Sequence, residues 1–366
     1  MSTFIEKFNE AYIRVKCDPD IARELSEFFT FEVPGAKFMP SVRNKMWDGR
    51  IRLFSPGNGK IYYGLLPYVE KFLKENEYEY QLSDDFEERT LIKSITEKFV
   101  RSLEKGKMRA RDYQIDAVHN IITNHRGLIL SPTGSGKSFI IYALVRYYVQ
   151  KLYDKKVLII VPTTGLVEQM YNDFADYKWF PDDHCHKLYA GKEKYTKKEV
   201  IISTWQSIYK LDKRYFEQFG CVIVDEAHLA KAKSITSIMT KLHNCKYRVG
   251  LTGTLDGTDV HRLVLEGLFS VHEQVTSELI EKKQLSPLHI RVLVLEHNQN
   301  DKRMMKDKTY QQEMEFLSTS MKRNQFIRSL VCATEGNILV LAQYIEKQLV
   351  PLCNMIVQHP QMIEKR

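Results

Sequence analysis

The sequence predicts an α/β protein built on a doubly wound parallel sheet, and three observations carry that expectation. Apolar runs rich in β-formers recur at Gly127-Leu128-Ile129-Leu130, Val157–Val161, Val200-Ile201-Ile202, Cys221–Val224 and Tyr247–Leu251, as in strands buried on both faces. Segments at helical spacing alternate with them. Each run ends in a polar cluster, and in such sheets ligands gather beyond the carboxyl ends of the strands.

The first run leads into Ser131-Pro132-Thr133-Gly134-Ser135-Gly136-Lys137-Ser138, and Phe139–Leu144 follow at helical spacing. Strand, glycine loop and helix N-terminus together make an anion cradle, because loop amides converge on phosphate and the helix dipole favours negative charge. Thr133, Gly134, Ser135 and Gly136 are thus candidate phosphate-binding residues. Lys137 would reach the β/γ-phosphates of a nucleotide, and the Ser138 hydroxyl would ligate Mg²⁺. The full pattern asks for Gly where Ser131 stands, so the strict form is missed by one residue.

The second run ends in Pro162-Thr163-Thr164-Gly165 before a helix carrying Leu166, Met170 and Phe174, and the third ends in Ser203-Thr204-Trp205-Gln206-Ser207. The fourth ends in Asp225-Glu226-Ala227-His228. An acidic residue closing an apolar strand is poised to hold Mg²⁺ beside Ser138, which nominates Asp225. Glu226 would polarise the water that attacks the γ-phosphate. His228 is placed to sense the nucleotide and contact Thr252-Gly253-Thr254, the coupling loop after the fifth run. Upstream, Arg111-Asp112-Tyr113-Gln114 precedes an amphipathic run. An amide presents a donor and an acceptor together, so Gln114 would read the edge of adenine with Arg111 stacked near it. The alternative is a solvent-facing glutamine on a helix.

The first 83 or so residues have a separate pattern. Ala11–Lys16 alternates as a half-buried strand, Asp18-Pro19-Asp20 caps a helix, and a second helix is expected over Leu66–Asn76. Asp48-Gly49 reads as a hairpin turn with Arg50–Phe54 as the returning strand. Lys45, Trp47 and Arg50 suit a nucleic-acid surface, in which cations neutralise phosphates and an exposed Trp stacks on a base. On local sequence alone the favoured alternative is a Trp47 buried in a small core with a solvated basic face. The charged stretch Ser83–Arg89 marks a boundary, a helix is expected over about Leu91–Leu103, and Lys105-Gly106-Lys107 breaks it.

Composition sets outer bounds. At 366 residues, 43% hydrophobic and 27% charged, the chain reads as an ordinary globular protein of two or three domains. No apolar run is long enough to cross a bilayer, so no membrane role is expected. Six scattered cysteines argue against a zinc site or a disulfide framework and fit a reducing cytoplasm. A net charge of +8 suits a polyanionic partner.

Taken in order, Arg111-x-Tyr113-Gln114, Ser131–Ser138, Val161-Pro162-Thr163-Thr164, Thr204-Trp205-Gln206-Ser207, Asp225-Glu226-Ala227-His228 and Thr252-Gly253-Thr254 resemble the Q-like motif and motifs I, Ia, Ic, II and III of the superfamily-two DEAH-type helicases. Trp47-Asp48-Gly49-Arg50 ahead of them resembles the UvsW-type helicases of T-even bacteriophages. The resemblance reaches about Leu285. It implies a RecA-like P-loop NTPase fold, ATP and Mg²⁺ as cofactors, and an ATP-dependent DNA helicase or translocase. Its implied substrates are branched recombination, repair and replication intermediates. Thr163, Thr164, Thr204, Trp205 and Gln206 would line the nucleic-acid track. Lys187, Lys192, Lys194, Lys197 and Lys198 either extend that track or form a solvated loop. A monomer is expected, in the host cytoplasm if the chain is phage-encoded.

The division expected is an accessory α+β domain over 1–90, a RecA-like ATP-binding domain over 91–285, and a linker with the start of a second RecA-like lobe over 286–366. A strand is expected at Leu288–Leu295, a helix from about Tyr310 to Thr334, and a first second-lobe strand at Asn337–Tyr344. Motifs V and VI do not follow, and Arg323 and Arg328 lie too early to be carried over as arginine fingers. The resemblance therefore implies an incomplete second lobe: a fragment, an interrupted product, or a subunit completed by another polypeptide, with that polypeptide or replication and recombination proteins as the expected partners. ATP and DNA binding would survive, with weak hydrolysis and no unwinding. Two other readings remain at this point: a DNA-binding module whose affinity ATP regulates, and a motor acting on RNA or in a restriction system.

Overall fold

The computed structural model describes residues 2–86, 90–106, 108–132, 134–229, 232–253, 259–274 and 290–358. The chain divides into two compact units, Met1–Pro287 and Leu288–Arg366.

In the first unit, β1 (Thr3–Lys7), β2 (Tyr12–Lys16), β5 (Lys60–Tyr62) and β6 (Tyr80–Leu82) form one sheet, while β3 (Thr30–Glu32) and β4 (Arg50–Arg52) pair separately. The larger sheet has the order β5-β2-β1-β6. Helices Pro19–Phe28 and Leu66–Glu75 cover it, burying Leu25, Val69 and Leu73. The expected hairpin at Asp48-Gly49 is corrected. The turn exists, with Asp48 Oδ1 accepting the Arg50 amide at 3.1 Å, but β4 returns antiparallel to β3. A short helix, Pro40–Arg43, occupies the segment before the turn, because Pro40 presets the helical φ and cannot donate to a ladder.

Seven strands form the second sheet: β7 (Arg126–Leu130), β8 (Lys156–Val161), β9 (Cys185–Leu188), β10 (Val200–Thr204), β11 (Phe219–Val224), β12 (Tyr247–Thr252) and β13 (His272–Gln274). Their order is β13-β7-β12-β11-β8-β10-β9, and every pairing is parallel. Alternate residues enter two cores. Ile129, Val157, Ile159, Val161, Ile223, Val249 and Leu251 face the helices Asp112–Asn124, Lys137–Lys151 and Thr164–Asp176. Leu128, Leu158, Ile160, Ile201, Val222 and Val224 face a core continuous with that of the N-terminal sheet, including Ile5, Ile13, Leu25 and Leu65. The period-two pleat divides one apolar run between two hydrophobic layers.

The junction between the two sheets is close and charged. The Arg126 guanidinium lies 3.6 Å from the Tyr63 ring centroid and 3.0 Å from Glu10 Oε2. Beside it, burial and the Arg126 charge push the fully buried Arg248 down to about 10, with Nε donating to the Cys245 carbonyl at 3.1 Å. The Tyr68 hydroxyl donates to the buried Glu266 at 2.6 Å, and burial with that carboxylate pushes the phenol up to about 12. At Gly64 a Cβ would fall 2.0 Å from the Glu266 carbonyl oxygen, so the helix Asp259–Phe269 can approach only because a hydrogen stands there.

In the second unit the helices are Gln299–Met305, Tyr310–Thr319, Met321–Ala333 and Val350–Val357, with a π-turn at Ile345–Leu349. The single helix expected from Tyr310 to Thr334 is two, because the Ser320 hydroxyl caps the second by accepting the Arg323 amide at 3.5 Å. The strands expected at Leu288–Leu295 and Asn337–Tyr344 are not formed among the described residues; Leu288 and His289 lie outside them. Backbone amides and carbonyls need partners, and no strand of this unit is described that could pair with either segment. Among the described residues no helix is long and apolar enough to cross a membrane, and all six cysteines are free.

Two substitutions test the junction by urea and thermal unfolding. Arg126→Met should cost about 3 kcal/mol, the low end for breaking a buried pair because Lys7 still contacts Glu10. Gly64→Ala should cost about 1–3 kcal/mol as an overpacked contact, with wild-type unfolding curves in either variant counting against this account.

Candidate nucleotide site

The site grows from the carboxyl ends of β7, β11 and β12. Beyond β7, Gly134 and Gly136 both adopt φ 83°, a left-handed conformation that brings the backbone round to the N-terminus of the helix Lys137–Lys151. The sequence departure at Ser131 has a structural use. Its buried hydroxyl sits 2.6 Å from Ser135 Oγ, which donates to the Pro132 carbonyl at 2.6 Å, and its amide donates to the Thr252 carbonyl at 2.8 Å. The loop is braced internally and tied to the end of β12. Thr133 lies outside the described residues.

Lys137 Nζ is 2.6 Å from Glu226 Oε1, in a pair whose side chains are only 11% and 21% exposed. Glu226 Oε2 is 3.5 Å from His228 Nδ1, which is itself 2.6 Å from Thr252 Oγ1. The loop lysine, Glu226, His228 and the β12 end thus form one circuit that closes through Ser131. Glu226 adopts φ 47°, unusual for a residue with a side chain, and its amide donates to Asp225 Oδ1 at 3.0 Å. Burial, then the Glu226 carboxylate, push Asp225 up to about 6. A buried carboxylate held in this way gains from a nearby cation, and Ser138 stands in the first turn of the adjacent helix. The donor set therefore fits a hard divalent ion with oxygen ligands. Gly253 follows β12, and Thr254 lies outside the described residues.

Gln114, expected to read the base, is engaged by the loop in this structure. Its side chain is buried, Oε1 accepts the Arg111 amide at 2.9 Å, and Nε2 faces the Ser135 and Gly136 carbonyls at 3.2 and 3.3 Å. A buried amide must satisfy both ends, and here the phosphate loop does so. Arg111 is exposed, with its guanidinium donating to the Tyr113 hydroxyl at 2.9 Å. Tyr113, not singled out from the sequence, donates in turn to the Ser135 carbonyl. Its place in Arg-x-Tyr-Gln was the available signal.

The track residues divide. Thr163 and Thr164 are exposed, and Thr163 caps the helix Thr164–Asp176 by accepting the Leu166 amide at 3.3 Å. Gln206 is exposed and reaches the Pro162 carbonyl at 3.4 Å, bringing two of the polar clusters together. Thr204 is buried with its hydroxyl 2.9 Å from Ser207 Oγ, and Trp205 is partly buried, packing against the core beside Tyr209. Lys187 pairs with Glu168 at 2.8 Å, and Lys192 lies over the Tyr189 ring. In the N-terminal unit Lys45 and Arg50 are exposed and Arg50 pairs with Glu32 at 2.9 Å. Trp47 is half-buried, its indole N–H donating to the Arg50 carbonyl at 3.0 Å.

Comparison with known proteins places this architecture. Residues 107–257 match the family described as type III restriction enzyme, res subunit, and residues 5–83 match the DNA helicase UvsW N-terminal family. The chain is 36% identical over 331 residues to the ATP-dependent DNA helicase uvsW of Enterobacteria phage T4, an alignment covering 87% of this chain and 66% of that protein. It is 29% identical over 192 residues to the DNA 3'-5' translocase XPB2 of Sulfurisphaera tokodaii, covering 51% of this chain and 41% of the relative. A crystal structure of the UvsW helicase from bacteriophage T4 superposes with TM-score 0.68 at 35% identity, covering 75% of this chain and all of that one. A second T4 UvsW structure gives 0.69 at 31% identity, covering 98% of this chain and 74% of that one. The sheet whose strand ends carry the lysine, the acidic pair and the histidine is thus the RecA-like core of a helicase, and the chain belongs to the UvsW-like family of superfamily-two ATP-dependent DNA helicases.

Proposed function

We propose that this chain is an ATP-dependent DNA motor, acting with Mg²⁺ on branched recombination, repair and replication intermediates. The observation that carries the reading is the Lys137–Glu226 pair at 2.6 Å. An ammonium that holds a carboxylate at the mouth of a glycine loop stands where it can hold a phosphate oxygen instead. In this reading the loop amides of Gly134, Ser135 and Gly136, with Thr133, cradle the phosphates while Lys137 moves from Glu226 to the β/γ-oxygens. Glu226, released, accepts the proton of the attacking water. Ser138 and Asp225 would hold Mg²⁺, which when bound offsets charge on the β- and γ-phosphates. His228 reports the state of Glu226 to Thr252, and Thr252-Gly253-Thr254 passes it on.

DNA would run past Thr163, Thr164 and Gln206, with Thr204 and Trp205 shaping that rim from beneath and Lys45, Trp47 and Arg50 adding an N-terminal contact. Short polar side chains there suit phosphates and not base identity. The phage T4 and archaeal relatives carry the names DNA helicase and DNA translocase, which supports DNA over RNA as the polymer. Neither Arg323 nor Arg328 serves as an arginine finger in this reading; a full second lobe is the element that would supply one. A monomer, in the host cytoplasm if the chain is phage-encoded, with a second-lobe polypeptide or replication and recombination proteins as partners, completes the reading.

ATP turnover with and without DNA tests it. Lys137→Ala should lower DNA-stimulated hydrolysis at least about 100-fold, and Glu226→Gln should do the same while nucleotide still binds. Turnover that survives both changes would remove the site from the chemistry. Gly136→Ala adds a strained φ and a methyl 2.5 Å from Gln114 Nε2. Titration with a fluorescent ATP analogue should show its affinity reduced about tenfold or more.

A further inference from the structure

The loop between β3 and β4 is internally hydrogen-bonded and carries an unusual surface. Its base is closed by the Val33 amide on the Gly49 carbonyl at 2.9 Å. Inside it, the 3₁₀ turn Ala36–Phe38 leads into the helix Pro40–Arg43, and the Met46 and Trp47 amides fold back onto that helix, both donating to the Ser41 carbonyl at 2.9 and 3.2 Å. Gly49 sits so close to Ala36 that a Cβ would come within 2.9 Å of the Ala36 methyl. From this frame Phe38, Met39 and Met46 point outward, 66%, 39% and 77% exposed. Lys37, Arg43 and Lys45 are exposed around them, and no carboxylate among the described residues is within ion-pair distance of these three. The loop's one acidic residue, Asp48, is held by Arg52. Lys37 Nζ lies 5.2 Å from the Phe38 ring centroid.

Large apolar side chains held in water on an ordered loop mark a contact surface, and three unpaired cations beside them select a polyanion. We propose that this loop is a wedge that enters the junction between duplex and single-stranded DNA, with Phe38 and Met46 against unstacked bases and Lys37, Arg43 and Lys45 on the flanking phosphates. Apolar side chains of this kind unstack base steps when backbone contacts hold them in place. The inference rests on the DNA-motor reading and adds to it where the strands part.

The test uses the full chain and forked DNA carrying 2-aminopurine at the junction pair. Saturating protein should raise the probe's fluorescence there, and leave unchanged a probe placed deep in the duplex. The double change Phe38→Ala/Met46→Ala should abolish the rise and weaken fork binding about tenfold, the worth of one stacked base. Changing Lys37, Arg43 and Lys45 to Gln should flatten the salt dependence of binding by about 0.9 per cation. Should the double variant fail to fold, Met46→Gln, at the most exposed of the three, is read in the same way. Fork binding without a junction signal, or a signal the variants keep, overturns the wedge and leaves DNA binding standing. No binding to forked DNA overturns the motor reading as well. Co-sedimentation with anionic phospholipid vesicles that the double variant loses, without a junction signal, overturns the wedge in favour of a membrane contact.

Discussion

The structure turns on an ion pair between two residues 89 positions apart, Lys137 and Glu226. The lysine opens the helix after β7 and the glutamate follows β11, with β12 lying between those strands. Two strand spacings amount to about 10 Å, a gap that a long lysine side chain can help to span only if both strand ends lie level. The parallel register sets that level, with Thr252 opposite Leu130 and Gly250 opposite Val224. Everything polar at the rim depends on that alignment, because a register slip would move the two charges apart and turn each strand's apolar residues to the opposite face.

Around the pair the polar contacts close on themselves. Ser131 ties the phosphate loop to Thr252, Thr252 meets His228, and His228 approaches the same carboxylate that holds Lys137. Lys137 and the end of β12 are therefore linked through short, partly buried contacts, in which low polarity strengthens each interaction. Gln114 and Tyr113 fasten the loop from its other side. These two residues act as positioning groups in this geometry, since their polar atoms are engaged by the loop backbone.

The N-terminal sheet shares one core with the motor sheet and is joined to it by buried charge. Arg126 opens β7, so the strand that ends in the phosphate loop begins at the accessory unit. Phe31 of β3 and Ile51 of β4 also pack against this core, which ties the β3–β4 pair to the two larger sheets.

What the sequence by itself determined was local: which runs become strands, where glycine permits the phosphate loop, and which polar residues stand at each strand's end. Those follow from side-chain pattern and backbone sterics within a few residues, and β7, β8, β10, β11 and β12 all form within two residues of their expected bounds. Strand order, and with it the meeting of Lys137 and Glu226, came only from tertiary structure, since it depends on contacts between residues far apart in the chain. The same reason explains the departures. Gln114 and Thr204 are residue types at home on a surface, yet burial gave each a neighbour that took up its polar atoms. Asn337–Tyr344 has a strand's composition, and without a described strand beside it to pair with, it takes no regular form. Edge strands β9 and β13 carry no apolar signature, since His186, Lys187, His272 and Glu273 do not read as apolar, and their pairing depends on the neighbour each finds.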